Sequence, residues 1–242
     1  MSENIYLSIV IPAYKEERRI QKVLNAIVEY QKNHEFEIEV VVVIDGSPDN
    51  TTETVDSFKD KIKILKIVDR KINKGKGYSI KEGVALTHGK YVLFTDADNS
   101  TPFYQVDKLL KFTDMYDVVI GSRYCKDGRL AKPQSFVRRM GGRVLNIVIQ
   151  ILACRGIKDT QCGFKLFEAK TAKEVFSRQT FDRWSFDIEL LAIARKKGHK
   201  VKEVGIVWYD DPHSTVDPIK DGIRMIKDSW QVRKNITAGK YK

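Results

Sequence analysis

Only three of the 242 residues are cysteine, Cys125, Cys154 and Cys162, an odd number without the paired spacing of a zinc site. A disulfide framework is therefore not expected, and the thiols read as reduced groups in a cytosolic compartment. No stretch approaches the roughly 18 consecutive apolar residues of a membrane-spanning helix. The N-terminus shows no signal-peptide pattern, because Ser2 to Tyr6 is short and runs straight into strand and helix patterns. The expectation is a chain that is soluble or lies on a membrane surface. Two common phosphate motifs are also missing. No Gly-x-Gly-x-x-Gly follows the first apolar run, and no Gly-x-x-x-x-Gly-Lys-Ser/Thr loop occurs, which excludes the usual dinucleotide site and the P-loop. Nor does a known nucleic-acid module appear. The basic residues coincide with apolar stretches rather than exposed aromatics, so nucleic acid is set aside as a partner.

What the chain does have is apolar content, 42%, at a length sufficient for a full core in one domain, with or without an appendage. It also has a basic excess. Lysine and arginine number 43 against 32 acids, a net charge of +11 that calls for a polyanionic partner such as an anionic membrane or a phosphorylated small molecule.

Ile5 to Ile11 is a nearly continuous apolar run closed by Pro12, the pattern of a strand buried on both faces. Ile20, Val23, Leu24, Ile27 and Val28 then recur at helical spacing in a helix running from Glu16 to about Lys32. Ile38 to Ile44 reads as a second strand, followed by turn formers from Asp45 to Asn50 and a helix from Thr51. Lys61 to Val68 gives a third strand with one exposed face. Asn73-Lys74-Gly75-Lys76-Gly77 opens a helix that stops at Gly89. A fourth strand from Lys90 ends in Asp96-Ala97-Asp98. Strands alternating with helices predict an α/β fold, a mainly parallel sheet with helices on both faces.

In such a sheet ligands sit beyond the carboxyl ends of the strands. Pro12-Ala13-Tyr14, Asp45-Gly46-Ser47 and Asp96-Ala97-Asp98 each follow a strand directly and are expected on that one edge. Asp-x-Asp has two readings. Asp96 and Asp98 are placed to share one Mg²⁺ or Mn²⁺ whose shell a diphosphate completes, while an acid at a strand end equally serves as turn former or helix cap, with Thr101-Pro102 as the helix start. Lys76, at a glycine-rich helix start, is read either as a phosphate contact or as part of a basic turn.

Val10-Ile11-Pro12-Ala13-Tyr14-Lys15-Glu16-Glu17, Val43-Ile44-Asp45-Gly46-Ser47 and Asp96-Ala97-Asp98 together resemble the GT-A fold of the inverting family 2 glycosyltransferases. Gly121-Ser122-Arg123, the block from Gly156 to Phe167, and Arg183 to Leu191 narrow the resemblance to the dolichyl-phosphate glucosyltransferases and their polyprenyl-phosphate relatives. The resemblance implies a GT-A domain over residues 1–215, with a nucleotide-binding half (1–100) and an acceptor half (101–215), and an amphipathic basic segment over 216–242. It implies that Pro12, Ala13, Tyr14 and Glu16 line the nucleoside pocket, that Asp45 bonds the base with Ser47 nearby, that Lys76 approaches the diphosphate, and that Asp96, Ala97 and Asp98 flank ribose, metal and diphosphate. A UDP-sugar is the implied donor and dolichyl or another polyprenyl phosphate the acceptor, with hexose, glucose first, transferred at the cytosolic face of a membrane. GDP-mannose and UDP-N-acetylhexosamine remain alternative donors. A saccharide acceptor and a nucleotide-sugar-binding regulator remain alternative functions.

The anionic head of such an acceptor needs guanidinium partners. Arg123 is the first candidate by resemblance, with Arg138, Arg139 and Arg143 next. Asp187 stands where the family places an acid in its second half. A phosphate acceptor, mostly dianionic at neutral pH, needs no base, so Asp187 is read either as an orienting group or as a helix-start acid. Asp159, Gln161, Arg183, Trp184 and Glu189 are expected to shape the sugar pocket. Two segments read as interfacial helices: Phe136 to Cys154, basic then strongly apolar, and Pro218 to Ile236, with Trp230 beside lysines. For the first, a core helix with solvated arginines is the alternative. Where relatives carry a Gly-Ser-Lys-like segment this chain has Thr215 in the lysine's place, so His213 or Lys220 is the candidate substitute, and Trp208 to Val216 is expected to form a lid.

Overall fold

The computed structural model describes residues 4–130, 136–209 and 220–242. Side chains at 130, 136–141, 143, 144, 220 and 221 also fall outside the description.

The first half forms as the apolar periodicities require. Strand β1 (Ile5–Ala13) leads to helix α1 (Ile20–Lys32), β2 (Glu37–Asp45), α2 (Thr51–Asp56), β3 (Ile64–Arg70), α3 (Lys76–Ala85) and β4 (Tyr91–Thr95). Residues 16–19, expected inside the first helix, form a turn instead: the backbone N–H groups of Glu16 and Glu17 bond Thr51 Oγ1, at the start of α2, and Asp49 Oδ2, in the loop before it. After β4 come a single 3-10 turn (Phe103–Gln105), α4 (Val106–Leu110), β5 (Val118–Ser122), β6 (Arg129–Leu130), α5 (Phe136–Leu152), β7 (Phe164–Glu168), α6 (Ala169–Ser177), α7 (Phe186–Lys196), β8 (Val201–Gly205), β9 (Val207–Trp208) and α8 (Lys220–Thr237).

Seven strands make one sheet in the order β3-β2-β1-β4-β7-β5-β8, and β6 pairs with β9 in a small second sheet. All neighbours in the large sheet are parallel except β7, which runs antiparallel to both β4 and β5. Alternate residues of each central strand enter opposite cores. Leu7, Ile9 and Ile11 pack with Ile20, Val23, Leu24 and Ile27 of α1, whereas Val10, Val41 and Val43 pack with α3, α6 and α7. Burial on both faces is what parallel crossover topology requires and why these strands read as unbroken apolar runs. Met225 and Val232 place α8 in that second core, against α5 and α7. Among the described residues no helix is long and apolar enough to cross a membrane.

The reversed strand joins the two halves of the chain at one edge. Because β7 runs back alongside β4, the turn that precedes it arrives at the carboxyl end of the parallel strands. Thr95 pairs with Phe164 and Phe94 with Lys165, which sets Gly163 beside Asp96.

Candidate active site

Adjacent parallel strands deliver the three sequence clusters to one edge. Ala13 stands opposite Ile44, one residue before Asp45, and Val10 opposite Phe94, two before Asp96. The first two loops are stitched together, with the Lys15 N–H on Ser47 Oγ at 2.7 Å and Ser47 Oγ donating to Asp49 Oδ1 at 2.6 Å. Lys15 takes a left-handed φ of 58° at this bend, and Tyr14 beside it is exposed. Just before it, Pro12 is half-buried and Ala13 buried.

Asp45 is buried and already engaged. Its Oδ1 accepts from Arg70 at 2.5 Å and from the Lys74 N–H at 2.8 Å, and its Oδ2 accepts from the Gly75 N–H at 2.7 Å. The carboxylate thus clamps the start of α3, where Gly75 has φ 105° and where a Cβ would lie 2.4 Å from the Asp182 carbonyl oxygen. Only glycine fits that corner.

The clamp aims Lys76 at the end of β4, where its Nζ lies 2.5 Å from Asp96 Oδ1. Burial alone would lower the Lys76 ammonium, but Asp96, Asp187 and Asp98 around it raise it above the usual lysine range. Asp98 is held by the Ser100 N–H at 2.8 Å, and its carboxyl is raised first by burial and then by Asp96. Glu16 joins the same acidic cluster. Burial, opposed by its pairing with Arg19 and reinforced by Asp98 and Asp96, pushes it up to about 7.

From the other half, β7 and α7 contribute a second lysine and acid. Lys165 is fully buried, donates to the Cys162 carbonyl at 2.6 Å and pairs with Asp187. Burial raises the Asp187 carboxyl, against the lowering pull of Lys165 and Lys76. Trp184, just before α7, has its ring 5.4 Å from Lys76 Nζ. The exposed Arg183 sits beside Gly75.

Four of the expected residues already have partners within the protein. Arg123 spends its Nε and Nη2 on Asp159, each at 2.8 Å, and stacks 5.3 Å from the Trp208 ring. Asp159 is itself fixed by this pair and by its own N–H on Glu203, so the two side chains are held together as one unit. Gln161 points at Met225 Sδ, 2.8 Å away on α8, rather than into the cleft. Glu189 is likewise turned inward, onto Thr180, Phe181 and Tyr241. The arginines Arg138, Arg139 and Arg143 lie on α5, but their side chains are outside the described residues, as are His213, Thr215 and most of the expected lid. Lys220 opens α8, its side chain likewise outside them.

Lys165, Gly163 and Ser185 are site-shaping residues that pattern reading passes over. Lys165 carried a signal: a lone charge inside Phe164-Lys165-Leu166-Phe167, an otherwise apolar strand, must find a buried partner. The partner of Ser185 lies 43 residues away, beyond any local pattern.

A seven-stranded sheet with one reversed strand, and paired acids and a lysine gathered beyond its parallel ends, is the architecture of the GT-A fold. The chain belongs to glycosyl transferase family 2, whose sequence model matches residues 8–176. Curated relatives of similar sequence are the dolichyl-phosphate beta-glucosyltransferases of Dictyostelium discoideum, 36% identical over 99% of this chain and 77% of that protein, and of Saccharomyces cerevisiae, 33% identical over 99% and 78%. The human dolichyl-phosphate beta-glucosyltransferase is 30% identical over 98% of this chain and 77% of its own. Among solved structures, glucosyl-3-phosphoglycerate synthase of Mycobacterium tuberculosis with Mn²⁺ and UDP superposes with a TM-score of 0.70 at 19% identity, covering 95% of this chain and 80% of that one. Staphylococcus aureus TarS with UDP-GlcNAc gives a TM-score of 0.59 at 20% identity, covering 97% and 71%. These two show the fold alone.

Proposed function

We propose that this glycosyltransferase moves glucose from UDP-glucose to dolichyl or another polyprenyl phosphate, with inversion at the anomeric carbon, while seated on the cytosolic face of a membrane. The observation that carries the reading is Lys76 Nζ at 2.5 Å from Asp96, with Asp98 in the same acidic cluster: one cation and two carboxylates at the mouth of the sheet. The named relatives supply the sugar and the acceptor.

The residues present fit a hard divalent cation. Asp96 and Asp98 offer oxygen donors, and the Asp98 carboxyl, raised first by burial and then by Asp96, is one that a bound cation would favour in its ionised form. Mg²⁺ or Mn²⁺ held by Asp96 and Asp98 would supply Lewis-acid charge to the leaving diphosphate. Lys76 adds a second positive charge once the donor's phosphates draw it from Asp96. Tyr14, Pro12 and Ala13 give the nucleoside a surface to lie on. Asp45 and Ser47 hold the two loops that frame it.

In the transfer, an oxygen of the acceptor phosphate forms the new bond to the anomeric carbon as the bond to the β-phosphate oxygen breaks, and UDP departs with both electrons. A dianionic phosphate needs no deprotonation. Asp187, buried and bound to Lys165, then acts by orienting Lys76 and its neighbours rather than as a base.

A peripheral membrane seat is supported by α5 and α8. Their outward sides expose Ile147 (55%), Ile151 (67%), Ile223 (54%) and Trp230 (51%), and Arg233 of α8 reaches the Ile151 carbonyl of α5, so the two faces adjoin. Exposed Arg224, Lys227, Arg233 and Lys234 flank the apolar stripe, a composition suited to an anionic interface.

The test is incubation with separate UDP- and GDP-sugars, Mg²⁺ or Mn²⁺ and a short polyprenyl phosphate, with mass detection of the lipid product. A hexosyl-phosphoprenol from UDP-glucose is expected. Transfer only to a saccharide, or donor binding without UDP release, would replace this reading with one of its competitors.

A further inference from the structure

Helix α8 has two working faces. Its outward stripe, Ile223, Ile226 and Trp230 at helical spacing among basic residues, is the lipid-facing side in the reading above, on which this inference rests. Its inward face grips the active site from behind. Asp228 Oδ2 accepts the Ser185 hydroxyl at 2.5 Å, and Ser185 stands between Trp184, over Lys76, and Asp187, in the first turn of α7. One turn earlier, Met225 meets Gln161 in the segment that leads to Gly163. Beyond the helix, Tyr241 donates to Glu189 at 2.8 Å, and Glu189 holds the backbone N–H groups of Thr180 and Phe181. That same loop receives the N–H of Tyr78 on the Asp182 carbonyl at 3.1 Å and packs against Gly75 at the start of α3. Contacts from α8 and the segment after it thus lead to both ends of the Lys76–Trp184 contact.

We propose that α8 couples the membrane to the donor site: contact of its outward face with an anionic lipid surface fixes the helix, and Asp228, through Ser185, sets Trp184 and α7 in the position that binds the nucleotide. Asp228 and Ser185 are positioning residues and touch no reacting atom. Coupling of this kind is reciprocal, so lipid must tighten nucleotide binding by the factor by which nucleotide tightens lipid binding.

The experiment titrates UDP with Mn²⁺ into the whole protein by calorimetry, with no vesicles, with phosphatidylcholine vesicles and with vesicles of phosphatidylcholine mixed with phosphatidylserine; vesicle sedimentation is measured with and without UDP. The wild type is expected to bind UDP about fivefold tighter or more on the mixed vesicles, with an equal gain in vesicle affinity when UDP is present. Asp228→Ala and Ser185→Ala should keep vesicle binding and lose that gain. Asp228→Asn, whose amide oxygen still accepts the Ser185 hydroxyl, should retain it, which separates the hydrogen bond from general helix stability. Vesicle binding without any change in UDP affinity overturns the coupling, as does an Asp228→Ala variant that responds like the wild type. Failure of the wild type to bind mixed vesicles overturns it together with the membrane seat. Intact coupling without glucosyl transfer counts against the proposed reaction alone.

Discussion

Gly163 presses on Asp96. A Cβ at position 163 would lie 2.1 Å from Asp96 Oδ2, and the Asp96 N–H donates to the Gly163 carbonyl at 3.2 Å. The reversed strand β7 thereby fixes both the backbone and the carboxylate of the first metal-type acid. A methyl group cannot be accommodated unless that carboxylate moves. Gly163→Ala is expected to keep the fold, seen as an unchanged far-ultraviolet circular dichroism spectrum, and to weaken Mn²⁺-dependent UDP binding by about tenfold or more, since a displaced ligand loses more than about 1.4 kcal/mol. Unchanged UDP affinity would show that the contact is not restrictive.

Lys76 and Asp96 make opposite demands on a cation and a nucleotide. With Lys76 at 2.5 Å, an incoming divalent ion must compete with an ammonium. Lys76→Met should therefore raise the affinity for Mn²⁺ alone by several-fold while lowering that for UDP by about tenfold, because a phosphate partner is lost. Calorimetric titration of each ligand separately checks the two signs. Movement of both affinities in one direction contradicts the assignment.

Glu16 predicts a pH dependence. Held at about 7 by burial and the nearby acids, it is protonated through mildly acidic conditions and ionises as pH rises through neutrality. Its folded value lies above that of the unfolded chain, so from about pH 4.5 the unfolded state releases the proton that the folded state keeps, and stability falls as pH climbs toward 7. A divalent cation at Asp96 and Asp98 favours the ionised form. Mn²⁺ affinity should then rise through about pH 7, and Glu16→Gln should flatten that rise. An identical pH profile in the variant would remove Glu16 from the site.

At the opposite end of the sheet, Glu39 is fully buried and accepts from Ser8, Lys66 and the His88 N–H. Burial pushes its carboxyl up, but these partners win and bring it down to about 2. A depressed acid stabilises the fold above the unfolded value, about 4.5, and loses that contribution as pH falls toward 2. Glu39→Gln should cost about 3 kcal/mol in urea unfolding at pH 7, and the difference should shrink steadily below about pH 4. A pH-independent penalty would mean that lost packing, not charge, is responsible.

The first half of the chain is legible in the sequence because its physics is local. Each parallel strand is a short apolar run ending in turn chemistry, and Ala13, Asp45 and Asp96 reach the same edge by topology alone. The second half is less so. Strand β7 inserts between β4 and β5 through pairings of residues more than 40 positions apart, such as Val118 with Phe167, and nothing in Phe164–Glu168 announces a reversed direction. For the same reason the sequence singles out Asp187 and Arg123 but not the partnerships the structure gives them, Asp187 with Lys165 and Arg123 with Asp159. Charged residues reveal their function only once their counter-ions are known.

Central to the proposed mechanism is a cation held by Asp96 and Asp98 that would bind the diphosphate of a sugar nucleotide. Calorimetric titration of UDP into the wild type and into Asp96→Ala and Asp98→Ala, with Mn²⁺ and with chelator, addresses it directly. Binding that requires Mn²⁺ and disappears in both variants is the predicted result; binding that is equal with and without metal, or that survives both substitutions, would contradict it.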